Sequence, residues 1–296
     1  GSDHRRSDAG LSVPHEPLVT SPRSLSDAYD LLASGNWTPI AGGTDLMVRI
    51  TGEIGEPPER LLDIWHLDAL RGISLSVDAG LVIGALSTWT ELRRSALVLR
   101  YLPVLAEAAA TIGAAQIQNR GTIGGNIVNA SPAGDSLPVL LAADASIVLG
   151  GPRGERTVAV ADFWTGYRQT KRAADELVLR IVVPLPDGRR VRFRKVGTRR
   201  AQAISKVVMS VAWREDAGIW RDVRVALGSV AATPVRIPAA EVVLEGSPPD
   251  AATADRAAAA IQAAISPIDD VRSTAVYRRE VSGSILHRLL REEGGW

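Results

Sequence analysis

Two pairs of adjacent glycines stand out, one in Ala41-Gly42-Gly43-Thr44-Asp45 and one in Gly121-Thr122-Ile123-Gly124-Gly125-Asn126-Ile127. Glycine admits backbone angles that a side chain forbids, and successive N–H groups freed in this way can converge on an anion. A pyrophosphate suits such a nest, and a dinucleotide carries one. Neither segment has the Gly-x-Gly-x-x-Gly spacing of a Rossmann unit, and no Gly-x-x-x-x-Gly-Lys-Ser/Thr occurs anywhere. The ordinary NAD and NTP cradles therefore lose their main support. A single Gly-Gly is more often a turn than a ligand site, so each pair alone says little.

Composition narrows the field. With 46% hydrophobic and 23% charged residues over 296 positions, the chain reads as globular, of one to three domains. It has no cysteine, which excludes disulfides, a catalytic thiol, a thiolate zinc site, a cysteine-ligated iron–sulfur cluster and a cysteinyl flavin link within this chain. The 34 basic and 33 acidic residues nearly cancel, and they are scattered, so no nucleic-acid footprint is visible. No apolar run approaches the roughly 20 residues that cross a bilayer, and Gly1 to Glu16 has no signal-peptide core. A cytoplasmic protein without a membrane span is the expectation.

The elements that must position the glycine pairs follow from local pattern. Ser24 reads as an N-cap, and Leu25, Ala28, Leu31 and Leu32 form an apolar stripe that stops at Gly35. A strand over Trp37 to Ile40 leads directly into the first glycine pair. Strands are predicted at Leu61 to Ile64, Ile73 to Val77 and Leu81 to Ile83, then helices near Thr88 to Ser95 and Leu102 to Thr111. The second glycine segment shows no helical periodicity until Asp135. Strands resume at Ser146 to Leu149, Thr157 to Val160 and Leu177 to Val183, and Pro184-Leu185-Pro186-Asp187-Gly188 reads as a boundary. Beyond it come strands at Val191 to Val196, Val207 to Trp213 and Trp220 to Leu227, then helices over Ala251 to Ile265 and Thr274 to Glu292.

Taken together, the two glycine segments resemble the FAD-binding medium subunit of the molybdenum hydroxylases, the family of xanthine dehydrogenase, aldehyde oxidase and aerobic carbon monoxide dehydrogenase. Ile40-Ala41-Gly42-Gly43-Thr44-Asp45-Leu46 is similar to the family's first flavin loop. Gly121 to Ile127 with Asn129-Ala130-Ser131-Pro132-Ala133-Gly134-Asp135 resembles the second. Asp162-Phe163-Trp164-Thr165-Gly166-Tyr167-Arg168 resembles its Phe-x-x-Gly-Tyr-Arg stretch, and Arg194-Lys195 followed by Arg199-Arg200 and Ile204-Ser205-Lys206-Val207 resembles the segment that approaches the flavin ring from the C-terminal domain. The resemblance runs from about Pro17 to about Leu290. Arg272-Ser273-Thr274 departs from the family's Arg-Gly-Ser or Arg-Gly-Ala.

The resemblance implies an α+β fold, with a two-subdomain FAD-binding domain of the vanillyl-alcohol-oxidase/PCMH type followed by a C-terminal α/β domain with a three-stranded sheet and helices. The expected divisions are a disordered or tag-derived N-terminus over 1–16, subdomains over 17–60 and 61–186, and a C-terminal domain over 187–296. Pro39, Ile40, Ala41, Gly42, Gly43, Thr44, Asp45, Leu46 and Met47, with Thr122, Ile123, Gly124, Gly125 and Asn126, match loops expected to wrap the cofactor pyrophosphate and ribitol through main-chain donors. Asp135 matches a position that bonds the adenosine ribose or nearby hydroxyls. Ile112 and Val178 match apolar cofactor contacts, and Lys195 matches a basic residue near the isoalloxazine. A cation there would stabilise the negative charge gained by the ring on reduction.

FAD should be noncovalent, because His4, His15, His66 and His287 all lie outside the matched loops. No metal site and no catalytic side chain are expected. The implied role is electron transfer from a small iron–sulfur subunit through FAD to NAD, oxygen or a quinone-type acceptor, with substrate chemistry in a molybdopterin-binding large subunit. A free-standing FAD-dependent oxidoreductase acting on a small organic substrate, and a scaffold that has lost FAD, are the alternatives. Read without the resemblance, Asp45 could cap a turn, Asp135 could cap a helix, Lys195 would be a solvated strand residue, and Arg199 and Arg200 a charged turn.

Overall fold

The computed structural model describes residues 16–51, 56–199 and 203–296. Apart from Glu16, the expectation for the N-terminus lies outside these residues, as does Arg200. Three sheets of three or more strands are found among the described residues, with a two-stranded hairpin besides.

The first is parallel: Arg60–Asp63 lies between Leu18–Thr20 and Thr38–Ile40. Parallel neighbours need a crossover, and the helix Leu25–Ala33 provides it. Its N-cap is Ser24, whose hydroxyl accepts the Asp27 N–H at 3.1 Å, and Gly35 at φ +98° follows its end. Ala28 and Leu32 turn inward onto Leu62, Leu70, Leu177 and Leu179. The division expected at residues 60 and 61 lies within this central strand, Arg60–Asp63, which pairs with both neighbours.

The second sheet is antiparallel, in the order Ile73–Ser76, Gly80–Gly84, Leu177–Val183, Ser146–Gly151, Gly154–Ala159. Its middle strand is buried on both faces. Leu177 and Leu179 join the first layer's core, whereas Val178, Ile181 and Val183 join a larger cluster beneath the helices. A bulge between Val178 and Arg180 makes this possible, because one extra residue reverses the alternation.

Six short helices lie between the second and fourth strands of this order in the chain. Trp89–Arg94 begins with the expected cap: Thr88 and Glu91 form a reciprocal capping box. Three helices depart from the sequence reading, Ala96–Tyr101 among them. Ala115–Arg120 is an additional turn and a half, and the second glycine segment, expected to be non-helical, forms the helix Ile123–Asn129. Two glycines weaken helical propensity by about 1 kcal/mol each. Here that cost is overridden by the Thr122 cap and by burial of Ile123 and Ile127 in the core.

The third sheet is antiparallel, in the order Arg190–Val196, Val207–Asp216, Ile219–Gly228, Val235–Arg236. The three long strands expected there are present, and a two-residue edge strand adds a fourth. Val207, Met209, Val211 and Trp213 face the helices Pro238–Leu244, Ala251–Ala264 and Ala275–Gly294, with Trp213 stacked on Trp220 at 4.2 Å. Val208 and Ala212 face the other way and join the core of the second layer, against which the helix Leu137–Ala142 packs. No helix among the described residues is long and apolar enough to cross a membrane.

Candidate functional site

The first glycine segment leaves the strand Thr38–Ile40 and closes on the one-turn helix Met47–Ile50, where the Met47 N–H donates to the Gly43 carbonyl at 2.8 Å. Gly43 sits at φ +76°, a conformation that side chains disfavour. The N–H groups of Gly42, Gly43, Thr44, Asp45 and Leu46 have no acceptor among the described residues. Five consecutive amides without an internal acceptor in one turn suit an anion nest.

The second segment is built differently. The N–H groups of Ile123, Gly124, Gly125 and Asn126 donate to the Ser87 carbonyl at 3.0 Å, the Ala85 carbonyl at 2.9 Å, the Thr122 hydroxyl at 3.1 Å and the Thr122 carbonyl at 3.0 Å. These four donors are satisfied internally, and of the expected main-chain donors over Thr122 to Asn126 the Thr122 N–H alone has no acceptor among the described residues. A Cβ on Gly124 would fall 2.7 Å from the Ala85 carbonyl oxygen, so that glycine serves close packing. Gly125 is exposed, and a Cβ there would meet only the Thr122 hydroxyl, at 3.0 Å. Asn126 accepts from Ser136 through its carbonyl oxygen at 2.7 Å and keeps its amide nitrogen for the open side.

Between the two segments lies a cleft of about 810 Å³, within the roughly 300–1,000 Å³ common for small-molecule sites. Pro39, Ala41, Gly42, Gly43, Thr44, Asp45 and Leu46 line it, as do Ile112, Thr122, Gly124, Gly125, Asn126, Asp135 and Val178. Ile40, Met47, Ile123 and Lys195 do not. A Cβ on Gly43 would point at Ile40 and Met47, which brace the nest from behind, and Ile123 is fully buried in the core. Ala203, Ile204 and Arg272 close the cleft from the third layer.

Lys195 and Asp135 correct two expectations at once. Lys195 donates to the Asp135 carboxylate at 2.5 Å and to the Thr111 carbonyl at 3.2 Å, and both charged side chains are under a tenth exposed. Thr111 and Ser205 hydroxyls also donate to Asp135. Lys195 is thus neither a solvated strand residue nor an unpaired cation facing the cleft. Asp135 caps no helix, since Ser136 occupies that position. The resemblance assigns Lys195 to the ring and Asp135 to the adenosine ribose or nearby hydroxyls; the two form one pair, of which only Asp135 lines the cleft.

The cations that do line the cleft were not among the expected contacts. Arg168, at φ +53° in the turn of the hairpin Trp164–Gly166 and Gln169–Thr170, donates to the Asn129 side-chain oxygen at 2.5 Å. Asn129 in turn donates to Asp45 at 3.0 Å, which ties the hairpin to the first glycine loop. Crowding by protein raises the Asp45 carboxyl above its ordinary value although the residue opens to the cleft, and Arg168 opposes this. Arg172 donates to the carbonyls of Ala173 and Glu176 at 3.0 and 2.6 Å. Burial lowers its guanidinium from the ordinary arginine value, against the pull of Glu176 and Asp175. Asn129 and Arg168 stand within the stretches that carry the resemblance. Arg172 lies just past them, with no local signal to mark it.

The cleft fits FAD. It offers unpaired amides for a pyrophosphate, a bare Cα at Gly125 and the apolar surfaces of Ile112 and Val178. No histidine, cysteine or tyrosine is among its lining residues. No group of acidic or histidine residues among the described residues could hold a metal.

Comparison with known proteins agrees. The family of the FAD binding domain in molybdopterin dehydrogenase matches residues 13–186, and that of the CO dehydrogenase flavoprotein C-terminal domain matches residues 192–293. The glyceraldehyde dehydrogenase medium chain of Sulfolobus acidocaldarius is 32% identical over 94% of this chain and 99% of its own length. The carbon monoxide dehydrogenase medium chain of Hydrogenophaga pseudoflava is 32% identical over 94% and 97%. The solved carbon monoxide dehydrogenase from that organism superposes with a TM-score of 0.88 at 32% identity, over 93% of this chain and 96% of the other. The xanthine dehydrogenase FAD-binding subunit of Escherichia coli O157:H7 is 30% identical over 91% and 93%. The chain belongs to the FAD-binding medium subunits of the molybdenum hydroxylase family. It is an FAD-binding oxidoreductase subunit.

Proposed function

We propose that this subunit holds FAD noncovalently in the cleft and relays electrons within a larger assembly. It takes them from an iron–sulfur partner subunit and delivers them to NAD, oxygen or a quinone-type acceptor, while a molybdopterin-binding large subunit carries out substrate chemistry. Cytoplasmic residence and a domain boundary near residue 186 belong to the same reading. The observation that carries it is the row of unpaired amides from Gly42 to Leu46, facing a cleft that spans both layers of the FAD-binding family match.

FAD supplies electron-transfer chemistry that no side chain here provides. The chain's own residues bind and orient it. The Gly42 to Leu46 amides would hold the pyrophosphate, Gly125 would admit it closely, and Asn126 would donate its side-chain amide to a cofactor oxygen. Pro39, Ala41 and Thr122 would shape the walls, and Gly124 would set the helix against the turn at Ala85 behind them. Ile112 and Val178 would exclude water from a ring face. The Asp135–Lys195 pair would fix the third layer against the cleft.

Purified protein should show flavin absorbance, and heating should release FAD into the supernatant at about one per chain. A colourless protein that takes up no added FAD would overturn the assignment. Co-purification with iron–sulfur and molybdopterin-binding subunits tests the assembly.

A further inference from the structure

The structure leaves the flavin's charge partner open, because Lys195 is already neutralised by Asp135 at 2.5 Å and lies outside the cleft lining. A cation tunes a flavin only if its charge is not already spent on a carboxylate. The arginines lining the cleft differ in this respect, and Arg199 is an exposed residue with a partner of its own. Arg272 pairs with Asp270 at 3.3 Å. Arg168 faces Asp45 through Asn129. Arg49 reaches out to the Glu56 carbonyl on the exposed side of its helix.

Arg172 is held differently. Its contacts are the uncharged carbonyls of Ala173 and Glu176. The two nearest carboxylates are committed elsewhere: Asp175 to Arg153 at 2.7 Å, and Glu176 to Arg156 at 2.7 and 2.8 Å. Both carbonyl contacts use one terminal nitrogen, the remaining donors of the fork have no acceptor among the described residues, and Arg172 lines the cleft. The anchoring carbonyl of Glu176 is two residues before Val178, an apolar wall residue of the same cleft. A half-buried, rigidly anchored cation without a carboxylate partner acts over a low-dielectric path, where its field is strong.

We propose that Arg172, and not Lys195, is the cation that stabilises the negative charge gained by the flavin ring on reduction. This rests on the FAD reading above, and the flavin content of the wild-type chain, measured first, tests that reading separately. The experiment is a spectroelectrochemical titration of the FAD-loaded full chain in four forms: wild type, Arg172→Met, Arg172→Gln and Arg172→Lys.

Arg172→Met should keep its flavin but lower the midpoint potential, shifting the reduced-to-oxidised ratio by about tenfold, which is about 30 mV for a two-electron couple. Arg172→Lys should recover most of the shift. Arg172→Gln retains a donor for the carbonyls without the charge, so the Lys–Gln difference isolates charge even if the Met variant folds poorly. Equal potentials in the Lys and Gln variants would overturn the proposal. So would a weakened FAD affinity with an unchanged potential, which would mark Arg172 as a phosphate contact instead.

Discussion

Gly42 packs against the backbone of Arg120 so closely that a Cβ on it would stand 1.7 Å from the Arg120 carbonyl oxygen. The first glycine loop therefore touches the residue that leads into the second, and the absence of a side chain at Gly42 is a condition of the two halves of the cleft meeting. Gly42→Ala forces backbone apart rather than a flexible side chain. Overpacking of this kind costs about 1–3 kcal/mol. The variant should unfold at lower urea and lose FAD, whereas wild-type stability with full flavin would refute this role for the contact.

Gly124 and Gly125 are neighbours with opposite jobs. Gly124→Ala drives a Cβ into the Ala85 backbone and should destabilise the chain by about 1–3 kcal/mol whether or not FAD is present. Gly125→Ala meets only the Thr122 capping hydroxyl, at 3.0 Å, which a shift of a few tenths of an ångström relieves, so apo stability should stay within about 1 kcal/mol of wild type. Its FAD affinity should fall by about tenfold or more, or 1.4 kcal/mol. Differential scanning with and without FAD separates the two. A tryptophan at Gly124 would strike the turn at Ala85 and not the ligand, so it reports on packing.

Lys195→Met strands the Asp135 carboxylate in a site that is 6% exposed. Breaking a buried pair from one side costs about 3–5 kcal/mol. Lys195→Met with Asp135→Leu should restore much of that loss, because an apolar pair avoids the desolvation of two charges. Chemical denaturation of the single and double variants gives the comparison, and a strictly additive double variant would count against a direct pair.

Asp45 links pH to cofactor binding. Its carboxyl pKa is raised, chiefly by burial, with Arg168 opposing. The stability it contributes is therefore fully present below the unfolded value and is lost as pH rises through the higher folded value. A pyrophosphate seated on the adjacent amides disfavours the ionised form further, so FAD affinity should weaken as pH climbs through that window. Asp45→Asn should flatten the profile. Isothermal titration across pH, with a profile unchanged by the substitution, would sink the assignment.

Much of the molecule is legible one element at a time. Ser24 and Thr88 cap the helices that follow them, Gly35 marks a helix end, and the alternation along Val207 to Trp213 specifies a strand. These rest on interactions within a few residues. The spacing of the glycine pairs identifies the family for the same reason, since each pair is read within its own short segment. The helix over Ile123–Asn129 is the instructive exception, because its propensity is poor and its stability comes from the distant turn at Ala85 that Gly124 touches.

The sequence by itself determined that the chain has two glycine loops, no thiol chemistry, and the family's α+β layers around a dinucleotide cleft. Tertiary structure alone decided which amides remain free, because donor satisfaction depends on Ser87 and Ala85, brought in from elsewhere in the chain. It also decided that Lys195 meets Asp135 while Arg172 meets only carbonyls. A residue's type states what charge it can carry. Only its neighbours in space decide whether that charge is already neutralised, and those neighbours are assembled by packing.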